Sequence, residues 1–350
     1  MARFTKNEER IINRIQQDIP LVPKPFGVIA GELGLDEREV LETIRSLKER
    51  RIVRNISAIF NAHRLGYHSS LIAFSVPEKR VTAAAEIING HPGVSHNYLR
   101  NHDFNMWFTL SAESAELLTR TAATLARMCG AADHLILRNE TLYKIGFMLK
   151  MGDDADDDDD DASEETSCAV RHISHNDSSD EVTDEMRRAV LLLQTDLPIE
   201  SRPFHMIGMK YGGGMSGDDL ISAGLDLKRR DVMRRYAAVL KHYNAGYTAN
   251  AMTAWKFDDA HREEDVMHIF SSHPGISHLY TRTLYPGRWD YPLFAMIHAR
   301  TDDELRKIIG DLEAQSGIRD YLVLKSLKEF KKKRVTYFSP AFGEWNGAYL

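Results

Sequence analysis

The chain carries two diverged copies of one sequence, and this internal repeat restricts its possible folds more than any other feature. Three blocks of the first half recur in the second half in the same order, at offsets of 182, 180 and 178 residues. They are HPGVSHNYLR (91–100) with HPGISHLYTR (273–282), RNISAIFNAHRLGY (54–67) with RRYAAVLKHYNAGY (234–247), and DIPLVPKPF (18–26) with DLPIESRPF (196–204). Ordered matches with so little drift indicate a duplication, so the two halves should fold alike.

Both copies show the same predicted order of elements. In the first copy, Ile11, Ile12 and Ile15 have the spacing of one helix face, and two further helices precede a predicted β-hairpin wing over 52–60. The rest of each copy alternates in the order βαββαβ, which is typical of a ferredoxin-like domain. We therefore predict an α+β fold with two tandem copies of a winged helix-turn-helix plus a ferredoxin-like domain, the second helix-turn-helix being degenerate. The expected boundaries are 1–66, 67–151, 182–246 and 247–350, with a linker over 152–181.

The predicted linker is strongly acidic. Residues 153–165 contain ten Asp or Glu residues and no basic residue, whereas the whole chain has a net charge of only -6. The remainder of the chain is therefore slightly basic, at +4. A block of like charges repels itself and favours a solvated linker, although a docking tail or a mimic of nucleic acid is an alternative.

Composition excludes several classes of protein. No apolar run approaches the roughly 18 residues that a membrane-spanning helix needs, and the charged N-terminal segment lacks the apolar core of a signal peptide. The two cysteines, Cys129 and Cys168, are too few for a disulfide framework or a zinc site. We expect a cytoplasmic protein without a membrane segment or a resident metal.

A stripe of polar residues recurs in both copies. Strand alternation places His278, Tyr280 and Arg282 on one face in the second copy. The first copy has the same stripe at His96, Tyr98, Arg100 and His102. Arg pairs bidentately with carboxylates, and His can donate a proton near neutral pH. The stripe is either a solvated sheet face or a surface that contacts substrate, and its recurrence favours the second interpretation.

The order helix-turn-helix, wing and βαββαβ resembles the Lrp/AsnC family. Within that group, GVSHNYLRNHDFNMWFTL, RRYAAVLKHYNAGYTANAMTAWKF and the C-terminal LKEFKKKRVTYF are similar to the siroheme decarboxylases. The resemblance implies a fused form of two related subunits, which would pair as a pseudo-dimer within one chain and could assemble further as a homo-oligomer. It also implies that two acetate carboxylates are removed from siroheme to give 12,18-didecarboxysiroheme, in heme or d-type heme biosynthesis. The resemblance further implies that no cofactor is required and that the iron enters with the siroheme substrate.

The resemblance also suggests roles for individual residues. We expect the catalytic residues to be His278, His242 and His96. We expect the substrate to be bound by Arg54, Tyr98, Arg100, His102, Arg234, Arg235, Tyr280, Arg282, Trp289 and Tyr291. The alternatives are a solvated wing for the three wing arginines and core packing for Trp289 and Tyr291. Because the sequences after the two stripes differ, we expect unequal roles, with His278 and His242 nearer the chemistry.

Two other functions fit the same fold. An Lrp/AsnC-type regulator would bind DNA through the third helix, but Glu37, Glu39 and Glu42 would repel phosphates there. DNA is therefore an unlikely partner. A tetrapyrrole sensor would bind siroheme and release no carbon dioxide.

Overall fold

A computed structural model of the chain describes residues 4–145, 171–172, 182–240, 249–257 and 263–350. Each copy begins with three helices and one strand. The elements of the first copy are α1 (Lys6–Gln17), α2 (Pro25–Leu33), α3 (Glu37–Glu49) and β1 (Val53–Phe60). Thr5 and Glu8 form a capping box at α1, Gly34 ends α2 in the left-handed conformation, and the Asp36 side chain caps α3.

The ferredoxin-like unit of the first copy keeps the predicted order. Its elements are β2 (His68–Ser75), α4 (Val81–Gly90), β3 (Val94–Arg100), β4 (Met106–Ala112), α5 (Ala115–Cys129) and β5 (Asp133–Ile145). A two-residue strand, β6 (Arg171–His172), pairs with the end of β5. It falls in the range predicted as a linker, most of which lies outside the described residues.

The second copy repeats this plan. Its elements are α6 (Asp184–Leu193), α7 (Pro203–Tyr211), α8 (Gly217–Arg229), β7 (Met233–Leu240), β8 (Ala249–Trp255), α9 (Glu263–Ser272), β9 (Ile276–Arg282), β10 (Leu293–Ala299), α10 (Asp302–Ser316), β11 (Tyr321–Lys332) and α11 (Ala341–Tyr349). The glycines that suggested a degenerate unit form the turn between α7 and α8. Gly213 and Gly214 take positive φ there, which glycine adopts at little cost.

The wing of the first copy differs from the predicted hairpin, because it is a single strand that pairs with β7 of the other copy. β1 and β7 run antiparallel, with Ser57 opposite Ala237. The amide of Ile19 donates to the carbonyl of Tyr236, and the amide of Leu197 donates to that of Ile56. One apolar core contains residues from the helices of both helix-turn-helix units. The two helix-turn-helix units therefore fold as one body.

The two ferredoxin-like units are joined by their last strands. The first part of β5 pairs with β2, and its second part pairs with β9 of the other copy. In the same way, β11 pairs first with β8 and then with β3. The strand order β2-β4-β3-β11-β8-β10-β9-β5, with the further pairing of β2 with β5, closes a ring of eight antiparallel strands. The helices of each copy pack on the outside of this ring.

The His-Pro-Gly motifs, which are shared by both copies, stabilise turns. The amide of Gly93 donates to Nδ1 of His91 at 3.0 Å, and that of Gly275 donates to Nδ1 of His273 at 3.1 Å. His91 is 1% exposed and lies 4.3 Å from the ring of Trp345. Burial, followed by the charge of Lys331, lowers its pKa to about 4.

This buried histidine should make the fold acid-sensitive. Between about pH 6.5 and pH 4 the unfolded chain binds a proton that folded His91 does not bind, so the free energy of unfolding falls as pH falls through that window. The loss should approach about 3 kcal/mol. Urea denaturation of the wild type and of His91→Asn across this window measures it. The variant should show a shallower pH slope, and an unchanged slope would contradict the assignment.

Candidate active site

The two polar stripes lie on the inner face of the strand ring. On β3, Asn97 lies between His96 and Tyr98 and donates to Asn89 of the outer helix α4. Because neighbouring strand residues point to opposite faces, His96 and Tyr98 point into the ring. On β9, Leu279 packs in the outer core, and the Arg282 guanidinium lies over Phe294 of the inner cluster. β3 and β9 stand four places apart in the ring of eight, so the stripes face each other across its interior.

Each stripe has a histidine held by the preceding serine. Nδ1 of His96 lies 3.0 Å from Oγ of Ser95, and Nδ1 of His278 lies 2.8 Å from Oγ of Ser277. Ser277 is itself 2.9 Å from Nε2 of His298. These contacts fix the imidazoles of His96 and His278 through one ring nitrogen.

The environment of His96 disfavours its protonated form. Burial lowers its pKa to about 4, and the charges of Lys332, Arg54 and His278 lower it in the same direction. His96 is therefore neutral at pH 7. The two imidazoles are close enough for the charge of His278 to act on His96, which is consistent with facing stripes.

The tyrosines and arginines of the stripes are also desolvated. Burial raises the pKa of Tyr98 and Tyr280, and it lowers the pKa of Arg100 and Arg282 to about 10. The guanidinium of Arg100 lies 5.3 Å from the ring of Tyr98, and that of Arg282 lies 5.0 Å from the ring of Tyr280.

Arg100 and Arg282 also hold the last strand of the opposite copy. Nη1 of Arg100 donates to the carbonyl of Leu324 on β11, and Nη1 of Arg282 donates to that of Leu137 on β5, at 3.0 Å. Nε of each guanidinium is buried without a partner among the described residues. These positions give both arginines a structural role in joining the copies, and their predicted contact with carboxylates stays a prediction.

Five cations gather where the β1–β7 ribbon meets the histidine end of the stripes. They are Arg54, Arg234, Arg235, Lys332 and Arg334. Arg54 donates through Nη2 to the Lys332 carbonyl, and the charges of Arg235 and Arg54 lower the pKa of Arg334. Within the described ranges, none of the five forms an ion pair with a carboxylate.

The cation cluster keeps access to solvent although neighbouring groups desolvate it. The side chain of Arg334 is exposed, yet desolvation is the largest cause of its lowered pKa. Tyr337 retains some exposure, and burial raises its pKa against the opposing charges of Arg334 and Arg234. We call this group of accessible but desolvated side chains the recess. Cationic side chains gathered in a recess attract and concentrate anions.

Three residues of this recess were absent from the predicted site. Lys332, Arg334 and Tyr337 come from the end of β11 and the segment after it, within the C-terminal block LKEFKKKRVTYF. That block carried the family resemblance, and its run of basic residues was the available signal. A register shift in β11 between Glu329 and Lys331 also places Glu329 and Lys332 three residues apart opposite Tyr98 and His96, where regular alternation predicts two.

Other predicted residues lie away from the recess. His102 follows β3 at the opposite end from His96, where it accepts from the amide of Phe104 and lies 5.5 Å from Trp289. Trp289 is 2% exposed within the inner apolar cluster, 5.3 Å from Trp107. Tyr291 donates to Asp320 near the start of β11. Trp289 packs here, and its contact with substrate stays a prediction. His242 lies outside the described residues.

Comparison with known proteins identifies the family. Residues 64–144 and 244–331 match the AsnC-like ligand binding domain, and residues 8–54 match the siroheme decarboxylase NirDL-like HTH domain. The chain is 38% identical over 341 residues to a siroheme decarboxylase of Hydrogenobacter thermophilus, covering 96% of each protein. The chain belongs to the siroheme decarboxylase family. The resemblance found in the sequence is thereby confirmed.

Solved structures of the family have the same fused arrangement. The crystal structure of the siroheme decarboxylase NirDL aligns with a TM-score of 0.76 and 32% identity, covering 98% of both chains. The structure of NirDL in complex with an iron-uroporphyrin III analogue aligns with a TM-score of 0.75 and 33% identity, covering 97% of both. The predicted α+β fold of two tandem copies is confirmed.

None of the helices in the described residues has the length and apolarity needed to cross a bilayer. The described residues also contain no cluster of three or more His, Cys, Asp or Glu side chains arranged to hold a metal ion.

Proposed function

We propose that the protein removes the two acetate carboxylates of siroheme that yield 12,18-didecarboxysiroheme. The observation that carries this proposal is the recess of five cations, none of which forms an ion pair with a carboxylate among the described residues, placed beside two facing histidine stripes. Siroheme is a planar macrocycle with eight carboxylates, so such a recess complements its charge. Relatives named as siroheme decarboxylases, and a family member bound to an iron-uroporphyrin III analogue, support the same substrate class.

The chemistry needs little from the protein beyond placement and a proton. The bond between the acetate methylene and its carboxylate breaks, carbon dioxide leaves, and the electron pair passes into the conjugated macrocycle. A proton then adds to the methylene carbon, which becomes a methyl group. Because the macrocycle accepts the electrons, we propose that no cofactor is needed and that the iron enters with the substrate.

The histidines are the proposed proton donors. His96 is neutral at pH 7 because burial and neighbouring cations lower its pKa. A substrate carboxylate bound between Arg54 and Lys332 would offset those charges and raise that pKa, so that the imidazole takes up a proton as the substrate binds. His278 faces the same interior, and we propose that it lies nearer the reacting acetate. His242 remains a proposed third donor.

A decisive experiment is anaerobic incubation of the purified protein with siroheme. Mass spectrometry should show the loss of one and then two carboxyl groups, without added cofactor and in the presence of a metal chelator. Binding of siroheme without loss of mass would indicate a tetrapyrrole sensor and would refute the proposal. A requirement for an added cofactor would refute only its cofactor-independent form.

The structure gives no support to the regulator alternative. Two of the three basic residues of α3 are engaged by the second copy: Lys48 pairs with Asp196 at 2.6 Å, and Arg45 donates to the carbonyl of Ile199. The third, Arg38, pairs with Glu42 of the same helix. Its first turn carries Glu37, which accepts from Ser201. DNA binding would need these contacts to break, and the comparisons favour the decarboxylase. A cytoplasmic location and a possible homo-oligomer stay predictions.

A further inference from the structure

The two histidine stripes have different neighbours, although they come from copies of one sequence. Register shifts in β5 and β11 pair every third residue of each strand with a stripe residue of the other copy. In the stripe of the first copy, Arg100 therefore pairs with Ser326, Tyr98 with Glu329, and His96 with Lys332. In the stripe of the second copy, Arg282 pairs with Asn139, Tyr280 with Leu142, and His278 with Ile145.

The hydroxyl groups of the two stripes differ accordingly. The Tyr98 hydroxyl donates to Oε2 of Glu329 at 3.3 Å, so its proton is already engaged. Tyr280 pairs in register with the apolar Leu142. Among the residues that the structure describes, the Tyr280 hydroxyl has no hydrogen-bond partner, and the charges of Arg282 and Arg234 act on it.

The residues after β11 add to the difference between the surroundings of the two stripes. They add Arg334 and Tyr337 to the recess, beside Arg54 and Arg234. When YLVLKSLKEFKKKRVTY of the second copy is aligned with HLILRNETLYKIGFMLK of the first, Lys333 and Arg334 correspond to Gly146 and Phe147. At these two aligned positions the second copy has basic residues, whereas the first copy has Gly and Phe.

These differences matter because a cation has opposite effects on binding a carboxylate and on removing it. A cation beside a carboxylate stabilises the bound anion, whereas in the transition state for loss of carbon dioxide the charge has moved away into the macrocycle. An interaction that is stronger in the ground state than in the transition state slows the step. Carboxylates that must survive therefore belong beside cations, and the reacting acetate belongs beside apolar groups.

We propose that Lys332, Arg334 and Tyr337 form a carboxylate-retaining wall, which binds substrate carboxylates that are not removed and directs the reacting acetate to the opposite wall at the apolar Leu142. The inference rests on the proposed function and assigns these residues to substrate orientation. It explains how one macrocycle with many carboxylates can lose some and keep others in the same site.

Charge-removing variants test the retaining wall. Arg334→Gln and Lys332→Gln should each raise the Kd of iron uroporphyrin III, followed by absorbance titration, by about 10- to 100-fold. The KM for siroheme should rise similarly, with a smaller fall in kcat. Lys328→Gln is the matched control, because Lys328 lies on the same strand, pairs with the helix-facing Leu99 and covers Phe330. It should leave Kd and KM unchanged, and thermal unfolding should confirm that all three variants are folded.

A charge-adding variant tests the opposite wall. Leu142→Lys should lower kcat without weakening the binding of iron uroporphyrin III, whereas Glu140→Lys, which introduces the same residue at an exposed position of the same strand, should leave kcat unchanged. The wall assignment is overturned if Arg334→Gln and Lys332→Gln both leave Kd unchanged, or if Leu142→Lys leaves kcat unchanged. The proposed function fails separately, if the wild type binds iron uroporphyrin III but never removes carbon dioxide from siroheme.

Discussion

Replacing His278 with Ala should lower kcat for siroheme decarboxylation by about 100- to 10,000-fold, the usual contribution of a positioned proton donor. The imidazole lies on the inner face of the ring, held through Nδ1 by Ser277, so the ring is placed to deliver a proton from its other nitrogen. Thermal unfolding should change little, because the side chain is only partly buried. Single-turnover decarboxylation, followed by product mass, measures the effect.

The matched control is His268→Ala, which removes an exposed imidazole from α9 of the same copy. It should retain wild-type kcat. If His278→Ala also turned over at the wild-type rate while remaining folded, His278 could not be the proton donor. In that event His96→Ala would become the informative variant, because the two imidazoles face the same interior.

The double variant Arg54→Gln/Arg234→Gln should weaken the binding of iron uroporphyrin III by about 100- to 1,000-fold, because each guanidinium offers a charge-assisted contact to a carboxylate. The free protein should not lose stability, because the two arginines are exposed and have no ion-pair partner among the described residues. Removing them should even relieve repulsion within the cation cluster. Loss of binding without loss of stability is the signature of a binding site.

Absorbance titrations at low and high salt measure this effect. The wild type should lose affinity as ionic strength rises, and the double variant should show a smaller dependence on salt. Arg306→Gln, on the outer surface of α10, removes a charge that pairs with Asp303 and should leave both quantities unchanged. Equal affinity and equal salt dependence in the double variant would show that the carboxylates bind elsewhere.

Much of the fold followed from the sequence because its signals are local. The periodic apolar residues of α1 and the alternation along β3 and β9 depend on neighbours within a few residues. The pairing of β1 with β7, and of β11 with β3, did not follow, because it joins strands from different copies and leaves no local pattern. The hairpin predicted for the wing was wrong for this reason.

The site was predictable in part. The repeated stripes located His96, Tyr98, His278 and Tyr280. The structure places all four on the inner face of the strand ring. The contribution of Lys332 was not predictable, since a register shift in β11 replaces the expected spacing of two residues by three. The large aromatic side chain of Trp289 gave no indication of whether it packs or binds. The structure buries it in the inner apolar cluster, and its contact with substrate stays a prediction.

The exchange of last strands between the copies has a consequence for how such a protein can evolve. In a symmetric homodimer both stripes would border the same strand, so any substitution in that strand would alter both sides of the substrate at once. Once the two copies had diverged within one chain, each strand could change alone. Specialisation of the two sides thus became available without loss of the paired scaffold.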